Sequence, residues 1–206
     1  MHTLGSVGHF VPENVDMRTS HMQCFSISGQ DNDSEMWPSC DLIDTGAGSV
    51  PHCSVCGIRF DAFLINPAFR LRRRTFDLSF TYDGYCVVTL KLKEAFERHA
   101  LSGVEFLLLP SEPTYFCLKP ISTVPFDAER RDTKFESACP SCGLHAGIFG
   151  ATPAFLLQAP QSDIAGTDVF FGSGNARHPL LIATERTKTL LAHERLTGLT
   201  FRAAHV

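Results

Sequence analysis

Two copies of a short cysteine motif constrain this chain more than any other feature. They are Cys53-Ser54-Val55-Cys56-Gly57 and Cys139-Pro140-Ser141-Cys142-Gly143. In each copy the two cysteines can direct both sulfurs at one point, and the glycine relieves the backbone where peptide N–H groups turn toward the thiolates. Two pairs supply four soft ligands for one tetrahedral metal ion. We therefore predict a structural zinc site that joins two distant parts of the chain, with the ligands Cys53, Cys56, Cys139 and Cys142.

Other interpretations of the cysteines have to be weighed against this one. A single Cys-x-x-Cys pair is also found in redox dithiols, but two copies with the same trailing glycine favour a metal. Disulfides need an oxidising compartment, and the acidic and histidine-bearing start of the chain does not resemble a secretory signal. The motif by itself does not distinguish zinc from iron.

The remaining cysteines and the nearby histidines are expected to stay outside the site. Four cysteines have no partner at ligand spacing and should behave as small apolar residues: Cys24, Cys40, Cys86 and Cys117. His52 and His145 are next to the motifs, but with four thiolates present neither is expected to bind metal. Four thiolates also leave no open position for water or substrate, which indicates a structural role for the metal and not a catalytic one.

Composition places the chain among ordinary globular proteins. It has 206 residues, of which 44% are hydrophobic and 19% charged. No apolar run approaches the 18 or so residues that a membrane span needs. We expect a cytoplasmic protein, because thiols stay reduced there and can hold metal.

Charge is distributed unevenly along the chain. Residues 1–52 contain seven acidic residues against Arg18 alone, so this stretch has a net charge of −6 and the rest sums to +2, which together give the overall −4. The one dense basic cluster consists of Arg70, Arg72, Arg73 and Arg74. An acidic segment suits a basic protein partner, whereas nucleic-acid binding usually needs a concentrated basic face.

The hydrophobic pattern predicts a mixed α/β (α+β) fold with curved, mainly antiparallel sheets and few helices. Gln23–Ser28 alternates as a first strand does, Phe69–Phe80 shows the same period, and Thr89–His99 has the period of an amphipathic helix. Residues 36–52 are interpreted as a loop anchored by Trp37. The glycines at 172–175 predict a plain turn.

The C-terminal region repeats the pattern of the first helix. At an offset of 95 residues, Leu196, Gly198 and Phe201 align with Leu101, Gly103 and Phe106. With the doubled cysteine motif, this favours two related halves, residues 22–110 and 111–206, that pack as one globular unit. Residues 1–21 are expected to be a flexible extension or tag, because Ser20-His21-Met22 resembles a cloning scar.

No catalytic motif accompanies the cysteines. The chain has no Gly-x-Ser-x-Gly elbow, no His-Glu-x-x-His and no phosphate-binding Gly-Lys-Ser/Thr. His178 and His193 are expected at element ends or on a solvated helix face. We therefore do not expect an enzyme.

The doubled cysteine motif, the Trp37-Pro38 segment and the closing stretches Leu181–Arg186 and Leu196–Arg202 resemble the double-CxxCG motif family. These proteins were first noted as paralogues in myxobacteria, and many are encoded beside polymorphic toxins with HNH-type nuclease domains. Two departures are that Ser54-Val55 replaces the family's usual proline inside the first motif and that Thr184 replaces a serine. Neither departure removes a ligand.

The resemblance implies an immunity protein that binds a cognate toxin and blocks its active site or substrate channel. Acidic residues near the N-terminus could occupy the basic surface of a nuclease as a substrate mimic. The candidate partner-binding residues are Asp31, Asp33, Glu35, Trp37, Asp41 and Asp44. The alternatives are a zinc-ribbon nucleic-acid-binding protein that uses the arginine cluster, and a thiol oxidoreductase.

Overall fold

The structure is a computed structural model that describes residues 23–38 and 50–206. The described chain is a mixed α+β protein dominated by strands, as the hydrophobic pattern predicts. Its strands are β1 (Cys24–Asp31), β2 (Leu78–Phe80), β3 (Cys86–Thr89), β4 (Val104–Leu108), β5 (Tyr115–Pro120), β6 (Thr123–Val124), β7 (Lys134–Phe135), β8 (Gly147–Phe149), β9 (Ala154–Phe155), β10 (Ile164–Ser173), β11 (His178–Thr184) and β12 (Leu199–His205). Its helices are α1 (Leu90–Arg98), α2 (Ala128–Arg131) and α3 (Glu185–Ala192).

The strands form one extended sheet in the order β4-β5-β3-β2-β1-β11-β10-β8-β7, and it does not close into a barrel. Most neighbours are antiparallel. Shorter parallel contacts join β1 to β2, β6 to β10 and β9 to β12. The predicted tag, residues 1–21, lies outside the described residues.

Each half of the chain contributes its first strand to the sheet of the other half. Strand β1 lies between β11 and β12, with Ile27 opposite both Leu181 and Phe201. In the same way β5 lies between β3 and β4, with Cys117 opposite both Val87 and Leu107. The two halves are therefore interlocked, because the part of the sheet that each half forms includes a strand from the other half.

The residues that follow the β2–β3 and β10–β11 hairpins occupy equivalent positions in the two halves. Thr89 caps α1 and Thr184 caps α3, and each threonine side chain accepts a backbone amide of its own helix. At the same offset, His99 and Glu194 are hydrogen-bonded to each other, with His99 Nε2 and Glu194 Oε1 2.6 Å apart. A direct contact between equivalent positions indicates an approximate two-fold axis between the halves.

The two helices cover the sheet with their apolar faces. Leu92, Ala95 and Phe96 are buried from α1, and Leu191 is buried from α3. They pack in one core cluster with residues of both halves, among them Ile27, Leu78, Ile164 and Leu181. Burying these side chains against both halves removes apolar surface from water and so stabilises the interlocked fold.

The predicted strand over Phe69–Phe80 is only partly correct. The stretch alternates as a strand does, yet only Leu78–Phe80 pairs, because the preceding residues pack Phe69 and Leu71 into a loop core instead of a ladder. His178 begins β11 and therefore lies at an element end, as expected, with its ring against those of Tyr85 and Phe63. Burial lowers the pKa of His178 to about 4.

Candidate metal centre

The two cysteine motifs lie 86 residues apart in the chain, but their four sulfur atoms lie close together. The Sγ atoms of Cys53 and Cys139 are 3.8 Å apart, and those of Cys56 and Cys142 are 3.7 Å apart. All four sulfurs lie within 4.8 Å of one another. This is a donor set that can hold one metal ion, with Cys53 and Cys139 buried on the protein side.

Both motifs fold into the same tight turn. In the first, Cys53 N donates to Ile58 O at 2.9 Å and Gly57 N donates to Cys53 O at 2.8 Å. In the second, the same bonds run from the amide of Cys139 to Leu144 and from that of Gly143 to Cys139, at 2.8 and 2.9 Å. Gly57 and Gly143 have φ values of 73° and 74°, a left-handed conformation that only glycine adopts without strain.

The turns direct backbone N–H groups at the leading sulfurs. The amides of Cys56 and Val55 donate toward Cys53 and lower its pKa to about 6. The amides of Cys142 and Ser141 likewise lower the pKa of Cys139 below its ordinary value. Donors that favour the thiolate favour the form of cysteine that binds metal.

A loop from the second half holds the first motif in place. Asn175 lies at the tip of the β10–β11 hairpin, and its Oδ1 accepts the amide of Arg59 at 2.7 Å. Its Nδ2 donates to Gly57 O at 3.3 Å, and its carbonyl accepts Arg59 Nη2 at 3.1 Å. The glycine-rich stretch is therefore a turn, as predicted, but its asparagine also positions a cysteine motif.

The same loop holds the second motif. Gly174 N donates to Ala146 O at 2.8 Å, and Arg177 Nη1 donates to His145 O at 2.7 Å. Arg177 Nε also donates to Gly174 O at 3.0 Å. We call residues 174–177 the bracket loop, because it bonds Gly57 of the first cysteine motif and the residues His145 and Ala146 that follow the second motif. These bonds assemble the site through protein groups alone.

The length of this hairpin explains a difference between the two repeats. The cysteine motifs are offset by 86 residues, whereas the helices are offset by 95, a difference of nine residues. The additional residues lengthen the β10–β11 hairpin, whose strands have 10 and 7 residues where β2 and β3 have 3 and 4. The extension carries the bracket loop, which sequence reasoning missed because an asparagine after glycines signals a turn and nothing more.

The other candidate ligands lie outside the sulfur cluster. Nδ1 of His52 is 2.7 Å from Val50 O, and Nδ1 of His145 is 2.5 Å from Glu136 O. Cys24, Cys86 and Cys117 are buried in the sheet, as small apolar residues are expected to be. Cys40 lies outside the described residues.

The acidic candidates that the structure describes, Asp31, Asp33 and Glu35, do not form one free negative surface. Asp33 pairs with Arg73 at 2.8 Å, and Asp31 Oδ1 accepts the amide of Asp33 at 2.7 Å. Glu35 is exposed. Asp41 and Asp44 lie outside the described residues.

Trp37 is buried, with 7% of its surface exposed, and its indole Nε1 donates to Leu64 O at 2.9 Å. Asp83 accepts the backbone amides of Met36 and Trp37 at 2.9 and 3.0 Å. These contacts favour Trp37 as a buried anchor of its loop over Trp37 as an interface residue, because a ring enclosed in this way offers little area to a partner.

The arginine cluster is only partly available to a polyanion. Arg73 is paired with Asp33, and Arg74 is paired with Glu112 at 2.7 Å. Arg70 Nη1 donates to Ser111 O at 2.6 Å. Two of the four arginine charges are therefore paired with neighbouring carboxylates.

Comparison of the sequence with models of known protein families and with curated proteins finds no match. Among residues 23–38 and 50–206, no helix has the length and apolar character needed to cross a bilayer.

Proposed function

We propose that the four cysteines hold a structural zinc ion. A Zn–S bond of about 2.3 Å places tetrahedral sulfurs about 3.8 Å apart, and the two measured S–S separations of 3.8 and 3.7 Å agree with this. Iron would accept the same ligands, so metal analysis of the protein purified from cells decides between them. With all four ligands from cysteine, zinc would join the halves and supply no reactive water.

We propose further that the chain is an immunity protein that neutralises a cognate toxin, a nuclease of the HNH type delivered to neighbouring bacteria, inside the cytoplasm of its own cell. The observation that carries this proposal is the doubled Cys-x-x-Cys-Gly motif, whose cysteines meet at one centre. A saturated thiolate centre suits a rigid scaffold that acts through its surface. Inhibition by occlusion needs such a rigid surface, because ordering a flexible one would reduce affinity.

A nucleic-acid-binding role is a weaker candidate. It depends on the arginines at 70–74, of which Arg73 and Arg74 already pair with carboxylates. A protein that contacts several phosphates would lose affinity steeply with salt. Absence of any salt-dependent shift of DNA or RNA in a gel assay would exclude this role.

The test is co-expression with the toxin encoded by the adjacent gene in a bacterial host. Growth should be restored by the intact chain, and the purified toxin domain should bind it in a calorimeter with a 1:1 stoichiometry. Restored growth without binding, or binding without loss of nuclease activity in vitro, would refute inhibition by occlusion.

The acidic residues are tested in the same assay by charge reversal to lysine at all five positions, Asp31, Asp33, Glu35, Asp41 and Asp44. Weaker inhibition that high salt reproduces in the unmodified pair would support a substrate mimic, because exposed charges are screened. Unchanged inhibition would show that another face binds the toxin. Reversal at the exposed carboxylates of Glu97 and Asp132 provides the control, because these lie outside the N-terminal acidic segment.

A further inference from the structure

A cavity of about 340 Å³ lies beside the metal centre. Its walls are mainly apolar and come from the segment after the first cysteine motif and from β7, β8 and β10, with Phe60, Phe135, Ile148 and Phe170 among them. Phe60 and Phe135 are 61% and 45% exposed, so large aromatic surface is left uncovered at this opening. The size falls within the range of about 300–1,000 Å³ found for small-molecule sites.

One residue of the lining is a buried arginine whose charge lacks a carboxylate partner. Arg59 is 5% exposed and forms no ion pair with any acidic residue of the described chain. Its Nη2 donates to Asn175 O, but Nε and Nη1 have no hydrogen-bond acceptor among the described residues. The guanidinium carbon lies 5.4 Å from the ring centre of Trp37 and 6.0 Å from that of Tyr85.

This arrangement leaves a positive charge incompletely compensated. Aromatic faces attract a cation, but they accept no conventional hydrogen bond of the strength that a carboxylate provides. Buried guanidinium groups are normally paired with an anion, because an unpaired charge in a poorly solvated site is unfavourable. The acidic residue of the lining, Asp168, is exposed, and its Oδ1 already accepts the amide of Phe126 at 2.8 Å.

The second buried arginine of the lining does not remove this imbalance. Arg177 is 8% exposed and also has no carboxylate partner in the described chain. Its Nε donates to Gly174 O of the bracket loop and its Nη1 to His145 O just after the second cysteine motif, close to the thiolates of Cys56 and Cys142. Its charge therefore lies near the metal centre, whereas Nε and Nη1 of Arg59 are enclosed in the wall of the cavity without an acceptor among the described residues.

We propose that this cavity binds a small molecule that combines an anionic group with a flat apolar body, and that Arg59 supplies the charge that recognises the anion. The aromatic and aliphatic walls would take the apolar body, and the anion would lower the cost of the buried guanidinium. The site does not depend on the identity of any protein partner, so it stands or falls independently of the immunity proposal.

Two fluorescent probes with the same aromatic skeleton test the proposal on the full metal-bound chain. 8-Anilinonaphthalene-1-sulfonate carries an anion, and N-phenyl-1-naphthylamine is the same molecule without the sulfonate. The sulfonate should bind at one site per chain and about tenfold more tightly than the neutral probe, which is the effect of a charge-assisted contact. Equal affinities of the two probes, or several equivalent sites, would overturn the proposal.

Two variants test whether the probes bind in this cavity. Arg59→Met keeps the length of the side chain and the bond from its backbone amide to Asn175. It should lower the affinity for the sulfonate probe by about tenfold and leave the affinity for the neutral probe unchanged. Phe135→Ala should weaken both probes by a similar factor, because it removes an exposed wall and no charge. Arg202→Met and Leu157→Ala are the matched controls, since both residues are exposed elsewhere on the molecule. Unchanged sulfonate affinity in Arg59→Met, with retained metal content, would refute the role of this arginine, and the Phe135 variant tests the site even if Arg59→Met does not fold.

Discussion

Gly103 and Gly198 occupy equivalent positions in the two halves, and each lies against a backbone carbonyl of the opposite half. A Cβ atom on Gly103 would be 1.9 Å from Ile164 O, and one on Gly198 would be 2.2 Å from Leu78 O. Their φ values are 95° and 80°, a backbone conformation that residues other than glycine rarely adopt. The two glycines therefore permit the close approach on which the interlocking of the halves depends.

We expect Gly103→Ala and Gly198→Ala each to destabilise the protein by about 3 kcal/mol or more, because a methyl group cannot be accommodated against backbone atoms. Urea unfolding followed by circular dichroism measures this. Gly174→Ala is the control, since Gly174 also has a positive φ but open space around it, and should cost only about 1–2 kcal/mol from conformation. Equal losses at all three positions would contradict the close approach.

Cys53→Ser and Cys139→Ser should each abolish stoichiometric metal binding and lower the melting temperature, since the metal then lacks a ligand and no longer joins the halves. Mass spectrometry for metals and differential scanning fluorimetry measure the two effects. Cys86→Ala removes a buried cysteine of the sheet core and should reduce stability by about 1 kcal/mol while metal content stays at one per chain. Metal-free protein with four reactive thiols in the unmodified chain would instead favour a redox role.

The bracket loop predicts a kinetic effect on the metal. Asn175→Ala removes the two side-chain bonds that join Asn175 to the amide of Arg59 and to the carbonyl of Gly57, so the first cysteine motif should become less ordered. We expect metal release to a chelator to accelerate by about 10-fold or more, the range seen when residues that support ligands are replaced. Asn66→Ala is the control, because the side chain of Asn66 also accepts a nearby backbone amide, that of Ala68, and forms no bond to the cysteine motifs. Equal release rates for both variants would refute the positioning role.

Asp77 and Asp163 predict a dependence of stability on pH. Although burial alone would raise the pKa of Asp77, the amide and hydroxyl of Thr197 in the other half hold it below its ordinary value of 3.8. Asp163 is the counterpart, since Ser102 of the first half donates to it with its amide and hydroxyl, both at 2.9 Å, and its pKa is also lowered. A depressed pKa in the folded state contributes stability above the unfolded pKa, and that stability is lost as pH falls through the folded value.

We therefore expect the free energy of unfolding to fall on acidification below about pH 4, and this slope to be smaller in Asp77→Asn and Asp163→Asn. The difference between each variant and the unmodified chain is the quantity to compare, because acidification also protonates thiolates and releases metal from both. Asp61→Asn serves as the control, since Asp61 is exposed and bonds only the nearby amide of Phe63. An unaltered slope in both variants would show that these carboxylates do not couple the halves.

Local signals in the sequence predicted several elements correctly. Helix α1 follows from the spacing of Leu92, Ala95 and Phe96, and its repetition at an offset of 95 residues predicted the second helix and strand. The cluster of Cys53, Cys56, Cys139 and Cys142 followed from spacing alone, because few arrangements other than a metal site use two such pairs. The prediction of a strand over Phe69–Phe80 was wrong for most of its length, because an alternating hydrophobic pattern indicates which side chains are buried and not whether the backbone pairs with another strand.

The sequence by itself determined the elements that depend on neighbours in the chain: the cysteine turns with their left-handed glycines, the capped helices and the mixed α+β class. Only the tertiary structure decided the exchange of β1 and β5 between the halves, the contact between His99 and Glu194, and the bracket loop that places Asn175 on the first cysteine motif. Except for the pairing of β5, these features join residues 95 or more positions apart. Periodicity and spacing report only local geometry, whereas such contacts depend on how the whole sheet buries its apolar faces.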